Sequence, residues 1–228
     1  MALCLLLLSP QSKVKFKIMK KVFLGLGIVL GTMAFAQTTN NGGIRFGIKG
    51  GGNLSRITEG NFSDTEHKFG FNGGVFMNVP MSDKFNFQPE VIYNYMGSKS
   101  TADVNGEKIK SETNLGYISV PLMVQFNVTP KFYVEAGPEF SYLVNANNKL
   151  KSGSQTVTNS WDSKALDDLK RFNAAGAIGL GYRITDNWGI NARYTTGFTK
   201  IGKNDTPRGQ YFNDSRNENI QLGLSYTF

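Results

Sequence analysis

The sequence predicts an all-β fold: an eight-stranded antiparallel up-and-down transmembrane β-barrel that follows a cleaved N-terminal signal peptide. Three observations predict it. The chain ends on a strand with period-two alternation, the connections between its strands alternate between short and long, and a secretory leader opens it. Short turns on one side and long polar loops on the other are the layout of outer-membrane barrels.

The last ten residues, 219–228, alternate strictly between large apolar side chains and small or polar ones. Their length suits a tilted strand that crosses a bilayer. The aromatic carboxyl terminus resembles the C-terminal assembly signal of bacterial outer-membrane barrels. That resemblance implies recognition by the barrel-assembly machinery through Leu222, Leu224, Tyr226 and Phe228.

Residues 1–36 are predicted to be a leader and signal peptide. A basic start at Met19 precedes an apolar stretch, 22–35, and a small-x-small site predicts cleavage between Ala36 and Gln37. The residues before Met19 fit this pattern poorly, which suggests Met19 as the true translation start. The alternative is a longer leader with the same cleavage site.

The charge of the chain is largely a property of this leader. The whole chain carries +8, and five lysines and no acidic residue precede Gln37, so the mature part carries 8 − 5 = +3. Its basicity therefore does not indicate nucleic-acid binding. Cleavage also removes the one cysteine, Cys4, and with it any disulfide or thiolate chemistry. We expect a polar leader over 37–43 and the barrel over 44–228.

Each predicted strand alternates between large apolar and small or polar residues. The strands are predicted at about 44–55, 68–79, 84–96, 114–128, 131–145, 171–184, 188–199 and 219–228. The short turns are 80–83, 129–130 and 185–187, and the long loops are 56–67, 97–113, 146–170 and 200–217. The third loop is expected to carry a short helix, capped by Asp162 or Ser163, with Leu166, Leu169 and Phe172 at helical spacing.

Alternation alone leaves open which face meets water. In a soluble lipocalin-like barrel the lumen is apolar, whereas in a membrane barrel the outside is. The apolar set contains more aromatic side chains than the lumen of an eight-stranded barrel can hold, and the opposite set is rich in Gly, Ala, Ser, Asn and Gln. We therefore predict that the apolar face contacts outer-membrane lipid. One aromatic residue, Phe76, breaks the pattern by standing in the polar set of its strand.

The predicted lumen face then contains charged residues of both signs. They are Arg45, Lys49, Glu90, Glu135, Glu139, Arg183 and Arg193. Enclosed charges need partners, since an unpaired one is costly. Three acids and four bases can form a nearly neutral network, which we interpret as a structural plug of hydrogen bonds and ion pairs. The functional alternative is a gated, narrow ion path along the same residues.

Few residues suggest chemistry. The one histidine, His67, follows Ser63 and Asp64 in a predicted loop, and a solvated loop explains them without catalysis. No His/Cys constellation indicates a metal, and no phosphate-binding glycine motif indicates a nucleotide. We predict no enzyme activity and no cofactor, with a loop-based outer-membrane enzyme as an alternative. In the last loop, Lys203 and Arg208 could contact the phosphates of lipopolysaccharide, or lie in solvent.

Three stretches resemble the small PorT-like outer-membrane barrel family of Bacteroidetes. They are FGIKGGGNLS at 46–55, which has Gly where Ala is usual, YISVPL at 117–122, and KFYVEAGP at 131–138. The resemblance covers the mature chain and implies an outer-membrane barrel, but no activity. We expect a structural or interaction role in the cell envelope through extracellular loops. A narrow transport or secretion-accessory barrel is the alternative.

Overall fold

The computed structural model describes residues 43–58, 66–104, 107–152, 155–160, 169–200, 202 and 215–228. The described strands lie within one compact unit, Ile44–Phe228. The predicted signal peptide, its cleavage site, Ser63, Asp64, Lys203 and Arg208 lie outside the described residues. Within the described part, no helix is long and apolar enough to cross a membrane.

The described residues form nine β-strands. They are β1 (Arg45–Thr58), β2 (Glu66–Pro80), β3 (Phe85–Val104), β4 (Glu107–Asn127), β5 (Phe132–Ser152), β6 (Gln155–Ser160), β7 (Phe172–Arg183), β8 (Trp188–Gly197) and β9 (Arg216–Thr227). All strands except β6 pair in the ring order β4-β3-β2-β1-β9-β8-β7-β5, and the pairing of β4 with β5 closes it. The predicted eight-stranded antiparallel barrel is confirmed. Closure gives every strand of the wall two neighbours, as backbone groups in lipid require.

The strands extend further than the sequence predicted. Most of the predicted loop 97–113 is a hairpin, because β3 and β4 stay paired as far as Val104 and Glu107. β5 likewise runs to Ser152 and turns back into β6, which lines up beside it. The polar composition of these segments is typical of loops. In water, however, polar residues continue a ladder once the barrel has fixed its register, since cross-strand pairs supply the stabilisation.

The short helix predicted around 162–172 is not seen in the part of it that is described. Asp162, Ser163 and Leu166 lie outside the described residues. Leu169 forms an isolated antiparallel bridge with Gly202, and Phe172 begins β7. The pairing of Phe172 with Tyr142 on β5 replaces the helical interpretation of its spacing.

We call the end with the short turns the turn side and the opposite end the loop side. Each of the three turns contains a hydroxyl oxygen that accepts a hydrogen bond from the backbone N–H three residues further along the chain. Such side-chain bonds fix a tight turn. Phe85 N donates to Ser82 Oγ at 3.2 Å, Phe132 N to Thr129 Oγ1 at 2.9 Å, and Trp188 N to Thr185 Oγ1 at 2.9 Å.

The outward face of the wall is apolar and has aromatic residues near both ends. On the turn side the ring pairs are Phe85–Phe126 at 5.2 Å and Trp188–Tyr226 at 5.0 Å between centroids. On the loop side they are Phe71–Tyr95 at 5.2 Å and Phe140–Phe172 at 6.1 Å. Exposed aliphatic residues lie between them, among them Val91, Val120, Ile178, Leu180 and Leu222. This is the lipid-facing band with interfacial girdles of a membrane barrel.

Phe76 points into the lumen, and its place there has a steric reason. Its ring packs over Gly47 on β1, where a Cβ would lie only 2.2 Å from Phe76 Cζ. Tyr133 packs over Gly181 on β7 in the same way, with a Cβ again 2.2 Å from the ring. A glycine on the neighbouring strand therefore opens the space that lets a large ring enter a narrow lumen.

Candidate functional site

Four predicted lumen charges meet in the half of the lumen nearer the turns. Lys49, Glu90, Glu135 and Arg193 come from β1, β3, β5 and β8, each at an inward position, and we call them the turn-side network. Arg193 binds Glu90 with two bonds of 2.8 Å, from Nη1 to Oε2 and from Nη2 to Oε1. It also donates to Glu135 Oε1, at 2.9 Å from Nε and 2.6 Å from Nη2. Lys49 Nζ lies 3.2 Å from both oxygens of Glu90.

The turn-side network is fully desolvated by the wall. The exposed fraction of the side chain is 1% for Arg193 and 4% for Lys49. The planar guanidinium suits the geometry, because its donors form a fixed fork that can engage two carboxylates at once. Burial makes each of these charges dependent on its partners, since an uncompensated charge in a low-dielectric interior is strongly unfavourable.

Two amide side chains donate further hydrogen bonds to the two glutamates, and a third amide joins these two. Gln88 Nε2 donates to Glu90 Oε1 at 2.8 Å, and Gln125 Nε2 donates to Glu135 Oε2 at 3.1 Å. Asn78 Nδ2 reaches the side-chain oxygens of both glutamines at 3.0 Å. The candidate residues predicted from the sequence did not include these amides. The alternation of the sequence could have identified them, because they occupy inward positions on the strands that carry the glutamates or on strands next to those.

Arg45 and Arg183 lie at the turn-side mouth, away from this network. Arg45 is exposed at the start of β1. Arg183 donates from Nη2 to Asn127 Oδ1 at 3.0 Å and from Nη1 to the carbonyl of Pro130 at 3.2 Å, and it stacks 4.8 Å over the ring of Tyr133. Both arginines line a small cavity of about 40 Å³ that opens at this mouth.

Glu139 lies deeper, on the loop side of the turn-side network. Its Oε1 accepts a hydrogen bond from Ser141 Oγ at 3.3 Å. Ser141 in turn contacts Ser119 Oγ at 2.7 Å, and Ser119 accepts from Asn94 Nδ2 at 2.9 Å. Glu139 is thus held by hydroxyl groups, and among the described residues no cation forms an ion pair with it.

The described buried charges of the lumen are three bases and three acids, but their ion pairs leave one acid without a base in contact with it. The turn-side network is neutral, because it combines two bases with two glutamates. Lys68, a further buried base near the loop side, has Glu112 as its partner at 3.6 Å. Among the described buried groups, Glu139 is the carboxylate that remains without a base.

The lumen ends on the loop side in a cluster of buried apolar side chains. We call this set the loop-side cluster: Ile57, Met96, Leu115, Tyr117, Leu143, Ala146 and Leu169. The sequence predicted a polar lumen throughout, and here that interpretation is wrong. The reason is length: a 20-residue strand such as β3 rises ~66 Å. Even when tilted it passes well beyond the ~25 Å apolar band of a barrel.

The predicted C-terminal assembly signal lies on the strand that joins the two ends of the barrel. β9 pairs with β1 on one edge and with β8 on the other. Leu222, Leu224 and Phe228 are exposed on its outward face. Tyr226 packs edge-on against Phe228, with ring centroids 5.5 Å apart.

The family of the chain is decided by its match to a family model. The model of the outer membrane protein beta-barrel domain matches residues 35–202. The chain belongs to this family. It is therefore an outer-membrane β-barrel protein and resides in the bacterial outer membrane, as the sequence predicted. A comparison with curated proteins gives no match.

Solved structures of outer-membrane proteins are similar to this member of the family at low identity. Ail of Yersinia pestis, in complex with the heparin analogue sucrose octasulfate, shows 17% identity and a TM-score of 0.48, covering 81% of this chain and 99% of that chain. Neisserial surface protein A shows 13% identity and a TM-score of 0.48, and the match covers 80% of this chain and 97% of that chain. The outer membrane protease OmpT from Escherichia coli shows 10% identity and a TM-score of 0.42, and the match covers 85% of this chain and 100% of that chain.

Chemically, the described site is suited to holding charges in place. Within the described ranges, no group of three or more His, Cys, Asp or Glu side chains is placed to hold a metal ion. His67 is exposed in β2 near the loop side. The described lumen of this family member therefore offers paired charges, amides and hydroxyls.

Proposed function

We propose that this outer-membrane protein is a sealed, non-enzymatic barrel that serves the cell envelope as a structural or interaction protein through its loop-side hairpins. The observation that carries the proposal is the turn-side network, in which Arg193 joins Glu90 and Glu135 across the lumen by bonds of 2.6–2.9 Å. A permeating solute would have to displace these paired charges.

The energetics of buried ion pairs support a sealed lumen. Separating one buried partner leaves the other without compensation and costs about 3–5 kcal/mol. In this network one arginine serves two carboxylates, so displacing it would leave both glutamates short of partners. An eight-stranded barrel is also only wide enough for side chains or one small ligand. The same contacts that fill the lumen thus oppose passage through it.

The loop-side hairpins support an interaction with an anionic partner. Lys110 on β4 and Lys151 on β5 are both exposed and stand directly opposite each other in the ladder. Like charges in that position repel and destabilise a sheet. A bound anion relieves that repulsion, and phosphate is the anion that lysine commonly binds. We infer that these hairpins contact the phosphates of lipopolysaccharide, the partner that the sequence suggested through the last loop.

This inference can be tested by removing the same charge at either end of the barrel. Lys110→Gln with Lys151→Gln is the loop-side variant. Lys84→Gln with Lys131→Gln is the matched control, since both lysines are exposed at the short turns. We expect the loop-side variant, reconstituted in nanodiscs of zwitterionic lipid, to bind lipopolysaccharide severalfold more weakly, while the control binds as the wild type does. Equal losses would contradict a hairpin site.

The second candidate is a narrow transport or secretion-accessory barrel, as the PorT-like resemblance suggests. The turn-side cavity favours it, because Lys49 lines that cavity and also belongs to the network. Complementation of a deletion strain separates the two roles. A role through the hairpins predicts that Lys49→Gln restores envelope resistance to detergents and that the loop-side variant does not. The reverse pattern would favour transport and contradict the proposal.

A further inference from the structure

A second cavity lies in the lumen between the turn-side network and the loop-side cluster. Its volume is about 20 Å³, and most of its lining surface is apolar, with Met96, Ala175 and the ring of Tyr117 beside six polar residues, Glu139, Ser141, Asn173, Thr195, Asn217 and Asn219. A volume of this size admits one water-sized particle. The polar residues come from the neighbouring strands β5, β7, β8 and β9, and Met96 and Tyr117 come from β3 and β4 across the lumen, so the cavity depends on the closed barrel.

Three of the side chains that line it have polar atoms without a hydrogen-bond partner. They are Glu139 Oε2, Thr195 Oγ1, and both Oδ1 and Nδ2 of Asn219, and no described residue satisfies them. The exposed fractions of these residues are 3%, 6% and 2%. Buried polar groups are normally satisfied, and each exception calls for an explanation. That three of them line one small cavity indicates a particle that binds there.

The charges of the lumen indicate the sign of that particle. The two bases of the turn-side network direct their hydrogen bonds to Glu90 and Glu135. The described buried groups comprise three bases and three acids, but Lys68 pairs with the partly exposed Glu112, so no described cation is in contact with Glu139. A carboxylate buried in this way is stabilised by a counter-ion in contact with it.

The donor set indicates the class of ion. Carboxylate, hydroxyl and amide oxygens are the ligands of hard cations. One carboxylate with neutral oxygens balances a single positive charge, whereas calcium sites usually combine several carboxylates. We propose that this cavity binds one hard monovalent cation, of the sodium class, through Glu139, Thr195 and Asn219. Either orientation of the Asn219 amide is compatible, because neither of its ends has a partner.

A cation in this cavity is independent of the role proposed for the hairpins. A barrel with or without a role at its hairpins can hold a cation in its lumen. The effect expected is on the stability of the folded state, since a ligand that binds only the folded protein opposes unfolding. The cavity would lack a cation in two alternative states, one in which it holds water alone and one in which Glu139 carries a proton.

The test compares sodium with N-methylglucamine, a cation too large for the cavity, at equal ionic strength. Urea unfolding of the full barrel in uncharged detergent micelles is followed by tryptophan fluorescence. Sodium at tenfold its dissociation constant is expected to raise the urea midpoint by roughly half a molar. Glu139→Gln should abolish this difference. Glu218→Gln, at a partly exposed carboxylate paired with Arg56 at 2.7 Å, should retain it.

A crystal grown with thallium(I) in place of sodium supplies a second, direct measurement if Glu139→Gln does not fold. We expect an anomalous peak within contact distance of Glu139 Oε2, Thr195 Oγ1 and Asn219. A cavity that holds only water, together with equal midpoints in the two salts, would overturn the proposal. So would a sodium effect that persists unchanged in Glu139→Gln.

Discussion

The two halves of the lumen are filled in opposite ways. The turn-side network consists of charges that satisfy each other, with Arg193 at its centre. The loop-side cluster consists of apolar side chains such as Leu115 and Leu143 that exclude water. The same wall, with the same inward alternation, encloses both. Sequence position along the strands decides which kind of interior forms.

This difference follows from what lies outside the wall. Between the two aromatic girdles the outward face is apolar, and large side chains there face lipid. Beyond the lipid band the strands pass through water, and their hairpins carry lysines and other polar residues outward. Such a segment is stabilised as a soluble β-protein is, by an apolar interior. The barrel thus behaves as a membrane protein at one end and as a soluble protein at the other.

The largest effect expected is from removing the centre of the turn-side network. Arg193→Ala leaves Glu90 and Glu135 buried without their shared partner, so it should lower the free energy of unfolding by about 4 kcal/mol. The matched control is Arg56→Ala, which breaks a half-exposed pair with Glu218 and should cost at most about 1 kcal/mol. Urea unfolding in micelles measures both. If the two variants lost similar free energies of unfolding, the turn-side network would stabilise the barrel no more than a partly exposed ion pair does.

The next effect tests the loop-side cluster. Leu143→Ala removes a fully buried side chain and should lower the free energy of unfolding by about 3 kcal/mol through lost burial and a cavity. Val144→Ala, at the neighbouring outward position, is the control and should cost much less. Hydrogen exchange sharpens the comparison. We expect faster exchange in the β3–β4 hairpin of Leu143→Ala and unchanged protection near the turns.

The contact of Tyr133 with Gly181 should show a smaller effect. Gly181→Ala places a Cβ 2.2 Å from the Tyr133 ring, and such overpacking should cost about 2 kcal/mol. Gly50→Ala is the matched control, since its Cβ would meet its nearest neighbour at 3.5 Å. Thermal and urea unfolding of both variants measure the difference. If Gly181→Ala were as stable as Gly50→Ala, the ring would not depend on that glycine.

The smallest effect on stability is expected at the C-terminal residue. Phe228 is outward and contacts the ring of Tyr226, so Phe228→Ala should change the free energy of unfolding by about 1 kcal/mol or less. If the assembly machinery recognises this end, the amount of folded barrel in the outer membrane should still fall severalfold. Ile220→Ala, outward on the same strand, is the control. An unchanged yield for Phe228→Ala would contradict the assembly signal.

The sequence was sufficient to predict the wall of the barrel, because alternation and turn spacing are local signals. It also predicted which residues face inward, including Glu90, Glu135 and Arg193. It could not predict how deep each one lies. Arg45 and Arg183 share the inward alternation with Arg193 but lie at the mouth, since depth depends on how the strands are staggered around the ring.

The hairpins and the loop-side cluster could not be predicted either, because they too depend on how the strands pair in the closed barrel. The segment 97–113 is polar and contains Gly106 and Asn105, which are typical of turns. Its described residues, 97–104 and 107–113, stay in the ladder because β3 and β4 are already paired within the wall. An apolar interior then forms from Met96, Leu115 and Leu143, whereas the sequence predicted a polar interior at these inward positions.

Single-channel recording in planar bilayers tests the sealed lumen most directly. The wild-type barrel is expected to give no resolved conductance steps, because paired charges contributed by β1, β3, β5 and β8 fill the lumen. A folded variant with alanine in place of Arg193, Glu90 and Glu135 should show resolved conductance steps. Discrete conductance in the wild type, unchanged in that variant, would contradict the account.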